Sequence, residues 1–321
     1  MGIEIIEPGL ATSIQDQGRP GYYSVGIPPS GALDLYSAAL ANVLVGNLPA
    51  MAVIEATYMG PKLRFTTPTV IAVTGAQIPV QINGQEIPQW ESVSVNADDV
   101  LTFGILQAGA RFYVAVAGGI TVPEILGSRS TYALGAFGGF EGRSLKSGDL
   151  LPVGMESGPV GRIITSEWRP EFPREIDVRV VLGLYDYRLT DVGLSALLDK
   201  PWKLSPVADR IGFRYSGQKL EWRDRVQPFG AGSDPSNIVD AGYPVGSIQV
   251  PGGVEPIILH RDAVSGGGYA MVATVISADM SLVGQCAPGT MTNFKPVTLD
   301  EALAARGIGQ QRLRTVQAKW S

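Results

Sequence analysis

Five stretches of the chain gather side chains suited to work on a carbonyl, a carboxylate or an amide. The first is Asp16-Gln17-Gly18-Arg19-Pro20-Gly21, followed by Pro28-Pro29-Ser30-Gly31-Ala32-Leu33-Asp34. Two glycine- and proline-rich loops precede a helical pattern, so backbone N–H groups and a helix N-terminus would meet an anion or a polarised oxygen. Arg19 would clamp a carboxylate or carbonyl. Asp34 is either an acid/base group or the cap of the helix. The second stretch runs through Gly118-Gly119, Gly127-Ser128-Arg129-Ser130-Thr131 and Gly135–Arg143. Ser128, Arg129 and Ser130 place several donors together, and the glycines permit close backbone approach. The third is Ser205–Arg214, where Asp209 adjoins Arg210; the plainer reading there is a local salt bridge. The fourth holds Asn237 and Gln249, and the fifth runs His260-Arg261-Asp262 to Gly267-Gly268-Tyr269. Asp262 beside a triple glycine reads as a β-turn or as a polar group next to a backbone cradle.

Composition limits the chemistry. The 321 residues include one histidine, His260, and one cysteine, Cys286. A His-rich metal site cannot be built from these, so no metal is expected. A Ser-His-Asp triad would have to use His260, which ends an apolar strand and reads as a half-buried, hydrogen-bonded residue. Cys286 reads as a bystander, and a lone cysteine rules out an internal disulfide framework. The net charge of −5 and the lack of Lys/Arg runs argue against nucleic acid. Apolar runs are strand-length, far from the ~20 residues that span a bilayer. A cytoplasmic protein is the expectation, with no membrane contact. Neither a phosphate-binding P-loop nor a dinucleotide fingerprint is present.

The elements that must carry these residues read as mostly β. Forty glycines and 23 prolines separate short runs rich in Val, Ile, Thr, Phe and Tyr. Strands are expected at 69–74, 80–82, 92–95, 100–103, 111–117, 178–182, 247–250, 257–259 and 271–276. Asn83-Gly84 between apolar residues predicts a two-residue hairpin. Helices are expected at Asp34–Leu44, Thr190–Leu198 and Leu299–Arg306, the last stopped by Gly307. Turn-strand units recurring near Asp98, Gly148 and Gly289 suggest two related β domains. The domains are set at 1–155 and 176–321, joined by a linker at 156–175 that is rich in Gly, Pro and charge.

Taken in order, these segments resemble a known family: the carboxyltransferase-type proteins that include KipA, the 5-oxoprolinase C-subunit, allophanate hydrolase subunit 2 and the carboxyltransferase region of urea carboxylase. The likeness is carried by Gln15–Gly21, Gly26–Asp34, Ala41–Asn47, Glu55, Thr74-Gly75-Ala76, Ala115–Ile120, Leu126–Thr131, Asp209–Gly212, Gly246–Pro251 and Gly267–Tyr269. It implies two cyclophilin-like β-barrel lobes with a few peripheral helices. It implies a partner of the allophanate hydrolase subunit 1, KipI or 5-oxoprolinase B-subunit kind, joined by a chain like the 5-oxoprolinase A-subunit or by a biotin carboxylase and biotin carrier. The implied reaction is carboxyl transfer from carboxybiotin to an amide nitrogen or ATP-dependent opening of 5-oxoproline. The alternative is a KipA-like regulatory module without catalysis. The chain has no Met-Lys-Met biotin attachment site and no ATP-binding signature, so biotin or ATP would come through partner subunits. Asp34, Asp209 and Asp262 are the candidates for proton transfer. Arg19, Ser30, Ser128, Arg129, Ser130, Asn237, Gln249, Gly267, Gly268 and Tyr269 are the candidates for substrate binding.

Overall fold

A computed structural model describes residues 2–320. The chain divides into two compact units: Met1–Arg19, Ser30–Phe172 and Arg312–Ser321 form the first, and Pro20–Pro29 with Pro173–Gln311 the second.

In the first unit the strands are β1 (Gly2–Glu7), β2 (Ala11–Gln15), β3 (Val53–Thr57), β4 (Lys62–Phe65), β5 (Thr69–Gln77), β6 (Val80–Ile82), β7 (Gln85–Ile87), β8 (Ser92–Val95), β9 (Val100–Phe103), β10 (Ala108–Val116) and β11 (Leu150–Pro152). They make two sheets, ordered β11-β1-β4-β9-β6-β7 and β2-β3-β10-β5-β8. One apolar core lies between them, with Ile3, Ile5, Leu63 and Leu101 from the first sheet meeting Ile54, Ile71, Phe112 and Val114 from the second. Strand β10 shows why its apolar run does not alternate. Phe112, Val114 and Val116 face that core, while Tyr113 and Ala115 face a second one under helix α1 (Leu35–Leu44). Both faces are covered, so residues 112–116 form an unbroken apolar run after the buried Arg111. Helix α1 is itself buried from Ser37 to Leu44, which is why it is apolar on most sides, with its buried Ser37 and Asn42 hydrogen-bonded to Asp34 and to Met51 O. The Asn-Gly hairpin forms as expected: Ile82 pairs with Gln85, and Asn83 and Gly84 have φ of 52° and 81°, the left-handed pair of a type I′ turn.

In the second unit the strands are β12 (Glu175–Leu182), β13 (Trp202–Ala208), β14 (Gly212–Ser216), β15 (Asn237–Gly242), β16 (Ser247–Gln249), β17 (Ile257–Leu259), β18 (Gly266–Tyr269), β19 (Met271–Val275) and β20 (Met291–Pro296). Seven of them close into a barrel, β12-β19-β16-β17-β14-β13-β20, and β15 pairs with β18 outside it. Inward residues Val178, Val180, Trp202, Phe213, Tyr215, Ile248 and Phe294 fill the barrel, and β12 alternates exposed and buried positions as a half-covered strand should. Helix α2 (Asp191–Leu198) is capped by Thr190, whose hydroxyl accepts from Gly193 N.

The chain is thus mostly β with a few helices, as its sequence implies. Two expectations need correction, and one helix was not foreseen. The segment expected as a linker is strapped along the first unit: Ser92 N donates to Arg162 O, Gly161 N to Ser92 O, and Ile164 N to Trp90 O. Ile164 is buried there, so the backbone groups of residues 161–164 in this aperiodic stretch are satisfied by β8 and its approach. Gly307 does not stop the last helix, α4, which runs Leu299–Gln317. The helix has apolar anchors on both sides of the glycine, with Ala302 and Ala305 in one cluster and Leu313 and Val316 in another. Helix α3 (Met280–Gly284) was not foreseen; at five residues it is too short to show a helical period. No helix among the described residues is long and apolar enough to cross a membrane.

Candidate functional site

In the first unit, the Asp16 carboxylate organises the loops that carry Arg19 and Ser128–Ser130. Oδ1 accepts from Gly18 N at 2.7 Å, Ser128 Oγ at 2.6 Å and Ser130 Oγ at 2.5 Å, while Oδ2 accepts from Arg129 N at 2.5 Å. Ser130 Oγ also accepts from Asp16 N at 2.9 Å. Arg19, 1% exposed, donates to Ser130 O and lies over the Phe137 ring, 5.0 Å from its centre. A Cβ on Gly138 would fall 2.1 Å from Ser130 O and 2.7 Å from an Arg19 nitrogen, so the glycine makes room for this clasp. Arg129 is partly exposed; its Nε donates to Val122 O at 2.9 Å. Ser30 is buried with φ of 51°. The first two sequence stretches therefore do meet, with Arg19, Ser128 and Ser130 enclosed in the fold rather than open to a ligand.

Asp34 caps α1. Its Oδ1 accepts from Ser37 N at 3.0 Å and its Oδ2 from Ser37 Oγ at 2.6 Å. Behind it runs a buried polar chain. Tyr113 Oη accepts from Asp34 N at 2.8 Å and donates to Glu55 Oε2 at 2.9 Å, which also accepts from Leu33 N at 2.8 Å. Burial first, then the nearby Glu55 and Asp34 charges, push the Tyr113 phenol well above its ordinary value, so it stays a neutral donor. Glu55 and Tyr113 are the partners that reasoning from the sequence did not single out by role. A carboxylate in an apolar strand, Val53–Thr57, is the signal that finds Glu55.

In the second unit, a groove of about 420 Å³ opens beside the glycine strand β18. Its walls include Ile211, Ile257 and Leu259, and Asp209, Gln249 and Tyr243 supply polar groups. Asp209 does not pair with its neighbour Arg210. Its Oδ1 accepts from Ile211 N at 2.8 Å and Gly212 N at 3.1 Å, an Asx turn that fixes its position at the exposed rim. Arg210 instead grips Asp262, Nε to Oδ2 at 2.7 Å and Nη2 to Oδ1 at 3.2 Å, with Asp262 N donating to Arg210 O at 2.9 Å. The Asp262 side chain is only 7% exposed, and a pair of this kind fixes the loop before β18. Tyr243 Oη donates to Tyr269 O and accepts from Tyr269 N, both at 2.7 Å; burial pushes its phenol up to about 12. A Cβ on Gly267 would sit 3.1 Å from the Tyr243 ring, so that glycine serves packing as well as access. Gln249 is buried on β16 and lines the groove. Asn237 pairs with Tyr269 across β15 and β18, and its carbonyl accepts from Arg188 and Arg225.

His260 is fully buried rather than half-buried, its Nδ1 accepting from Arg261 N at 3.0 Å and its ring packed on Phe213. The turn that ends β17 folds it inward. Cys286 is buried, with Sγ 3.5 Å from Leu282 O. No cluster of metal-ligating side chains exists among the described residues. Of the three aspartates named from sequence, only Asp209 lines the groove; Asp34 caps a helix and Asp262 holds Arg210.

Residues 25–296 match the model of the carboxyltransferase domain, subdomain A and B. The chain is 37% identical over 98% of its length to urea amidolyase of Lachancea kluyveri, of which it covers 18%. It is 34% identical to the 5-oxoprolinase C-subunit of Escherichia coli, covering 95% of this chain and 94% of that one. The crystal structure of Kluyveromyces lactis urea carboxylase superposes with a TM-score of 0.91 at 35% identity, over 98% of this chain and 29% of that one. The chain thus spans less than a fifth of the length of the urea amidolyase it matches.

Proposed function

Because the chain belongs to the carboxyltransferase domain family, subdomain A and B, we propose that it is the carboxyltransferase-type component of an enzyme that processes a small amide or lactam. The observation that carries this reading is the groove of the second unit, where an exposed carboxylate, a buried primary amide and a glycine strand converge on about 420 Å³. Those groups match an amide substrate. Gln249 offers a donor and an acceptor to a C(=O)–NH unit. The β18 backbone offers N–H and C=O groups close by. Asp209, with Oδ1 held by two backbone N–H groups, keeps Oδ2 to accept the proton of a reacting nitrogen.

Carboxyl transfer to an amide nitrogen is the first reading, supported by the likeness to urea amidolyase and urea carboxylase over 98% of the chain. Carboxybiotin would supply the carboxyl group, brought by a biotin carrier and its biotin carboxylase. The apolar walls at Ile211, Ile257 and Leu259 suit its ring system. Opening of 5-oxoproline is the second reading, favoured by the near end-to-end match to the 5-oxoprolinase C-subunit; ATP would then be bound by partners like the A- and B-subunits of that enzyme. Both need an amide carbonyl and nitrogen held at one place, and the polar groups lining the groove support that reading.

The test is reconstitution with co-expressed partners of each kind, followed by assay of substrate-dependent ATP hydrolysis with urea, other small amides and 5-oxoproline. Turnover that requires this chain supports the reading. Stable complexes without turnover on any of these would overturn it in favour of a regulatory, KipA-like module. Arg19→Ala and Asp262→Ala are poor probes, since both residues are buried in structural contacts. Asp209→Asn is better, because asparagine keeps the Asx turn and loses the base.

A further inference from the structure

Arg188, in the turn Asp186–Arg188, is 3% exposed and makes no ion pair with a carboxylate among the described residues. A guanidinium buried without a counter-ion is costly, so its contacts must repay the burial. Nη1 donates to Asn237 O at 2.9 Å and Nη2 donates to Pro235 O. The Trp222 ring lies against the guanidinium, with its centre 5.8 Å from Cζ, and Trp222 Nε1 is tied to Gly253 O at 3.0 Å. Arg225 Nη2 donates to the same Asn237 carbonyl at 2.8 Å. Burial, and then the Arg225 charge, lower the Arg188 pKa from its usual value, with the Asp234 carboxylate a weaker opposing influence.

Both carbonyls that Arg188 grips lie at the entry to β15, Asn237 as its first residue and Pro235 two residues before it. That strand has one partner, β18, joined through Asn237 to Tyr269 and Ala241 to Gly267, with Ala270 N donating to Ser236 O at 2.8 Å. Strand β18 is the glycine wall of the groove. Lacking side chains at three successive positions, it cannot be fixed by packing of its own, and a two-stranded ribbon is marginal alone. Its Tyr269 end is tied by the Tyr243 hydroxyl. Asn237, the β15 residue paired with Tyr269 at that same end, is held by the forked donor of Arg188, a grip that a single ammonium cannot reproduce.

We infer that Arg188 is the positioning residue of the groove: its fork on the Pro235 and Asn237 carbonyls sets β15, and through it the glycine wall β18. Arg188 touches no reacting group. Its role is to keep the β18 backbone within hydrogen-bond reach of a bound amide. The activity consequence rests on the groove being the reacting site; the structural one does not.

The experiment compares Arg188→Lys, Arg188→Gln and wild type by amide hydrogen exchange in the full chain, and by steady-state kinetics in the reconstituted complex. Exchange at residues 266–270 should rise about tenfold or more in both variants, while β12 and β20 keep their wild-type protection. KM for the amide should rise about tenfold in Arg188→Lys with kcat within about twofold. Unchanged exchange at β18, or equal loosening of the barrel strands, would overturn the inference. If the wild-type complex turns over no amide, the functional reading fails, and the exchange result still decides the role of Arg188.

Discussion

At the scale of single residues, burial separates groups that hold the fold from groups that can meet a ligand. Arg19 illustrates the first. Its guanidinium is enclosed between Ser130 O and the Phe137 ring, so Arg19→Met should cost about 2–4 kcal/mol, from one charged hydrogen bond and one cation–π contact. Thermal melting of the variant checks this. Asp149 shows the pH side. The Arg143 guanidinium holds its carboxyl below the usual value, with burial opposing, and the two meet at 2.7 and 2.9 Å. A depressed carboxylate stabilises the fold above its unfolded pKa of about 3.9 and loses that contribution as pH falls through the lower folded value. Arg143→Gln should therefore melt below wild type at pH 7, and the gap should narrow below about pH 4. Residue type alone could not rank Asp34, Asp209 and Asp262. The deciding facts are which lone pairs the fold already uses, and those depend on contacts far apart in sequence, such as Arg210 with Asp262.

At the scale of elements, local signals were readable where local energetics decide. The Asn83-Gly84 hairpin and the Asp34 cap are set by a few neighbouring residues, and both were evident from the sequence. Gly84 has φ of 81° with open space around it, so Gly84→Ala should cost about 1–2 kcal/mol through backbone strain alone. Helix α4 is the opposite case. Gly307 reads as a stop, yet tertiary anchors at Ala302, Ala305 and Val316 carry the helix through it. Nothing lies within 4 Å of a Cβ built on Gly307, so Gly307→Ala should stabilise the protein by about 0.5–1 kcal/mol, read as a higher melting temperature. The 156–175 stretch was illegible for the same reason: residues 161–164 are held by hydrogen bonds to β8 and Trp90, and the only regular structure of its own before β12 among the described residues is the short turn Ser166–Trp168.

At the scale of the whole molecule, the two units are not consecutive in sequence. Pro20–Pro29 groups with the second unit and Arg312–Ser321 with the first, an interleaving that no composition shift announces. A fragment ending at Phe172 would leave the site of the fully buried Val316 open, and it should be less soluble and less stable than the intact chain. Adding residues 312–321 as a peptide should restore part of the stability, measured by thermal shift. Asp209 is the most direct probe of the groove of the second unit. In a reconstituted complex that turns over an amide or lactam, Asp209→Asn should lower kcat by about 10²-fold or more, the scale of a lost general base, with complex assembly unchanged. A variant that assembles and retains wild-type kcat would contradict the assignment of the reaction to this groove.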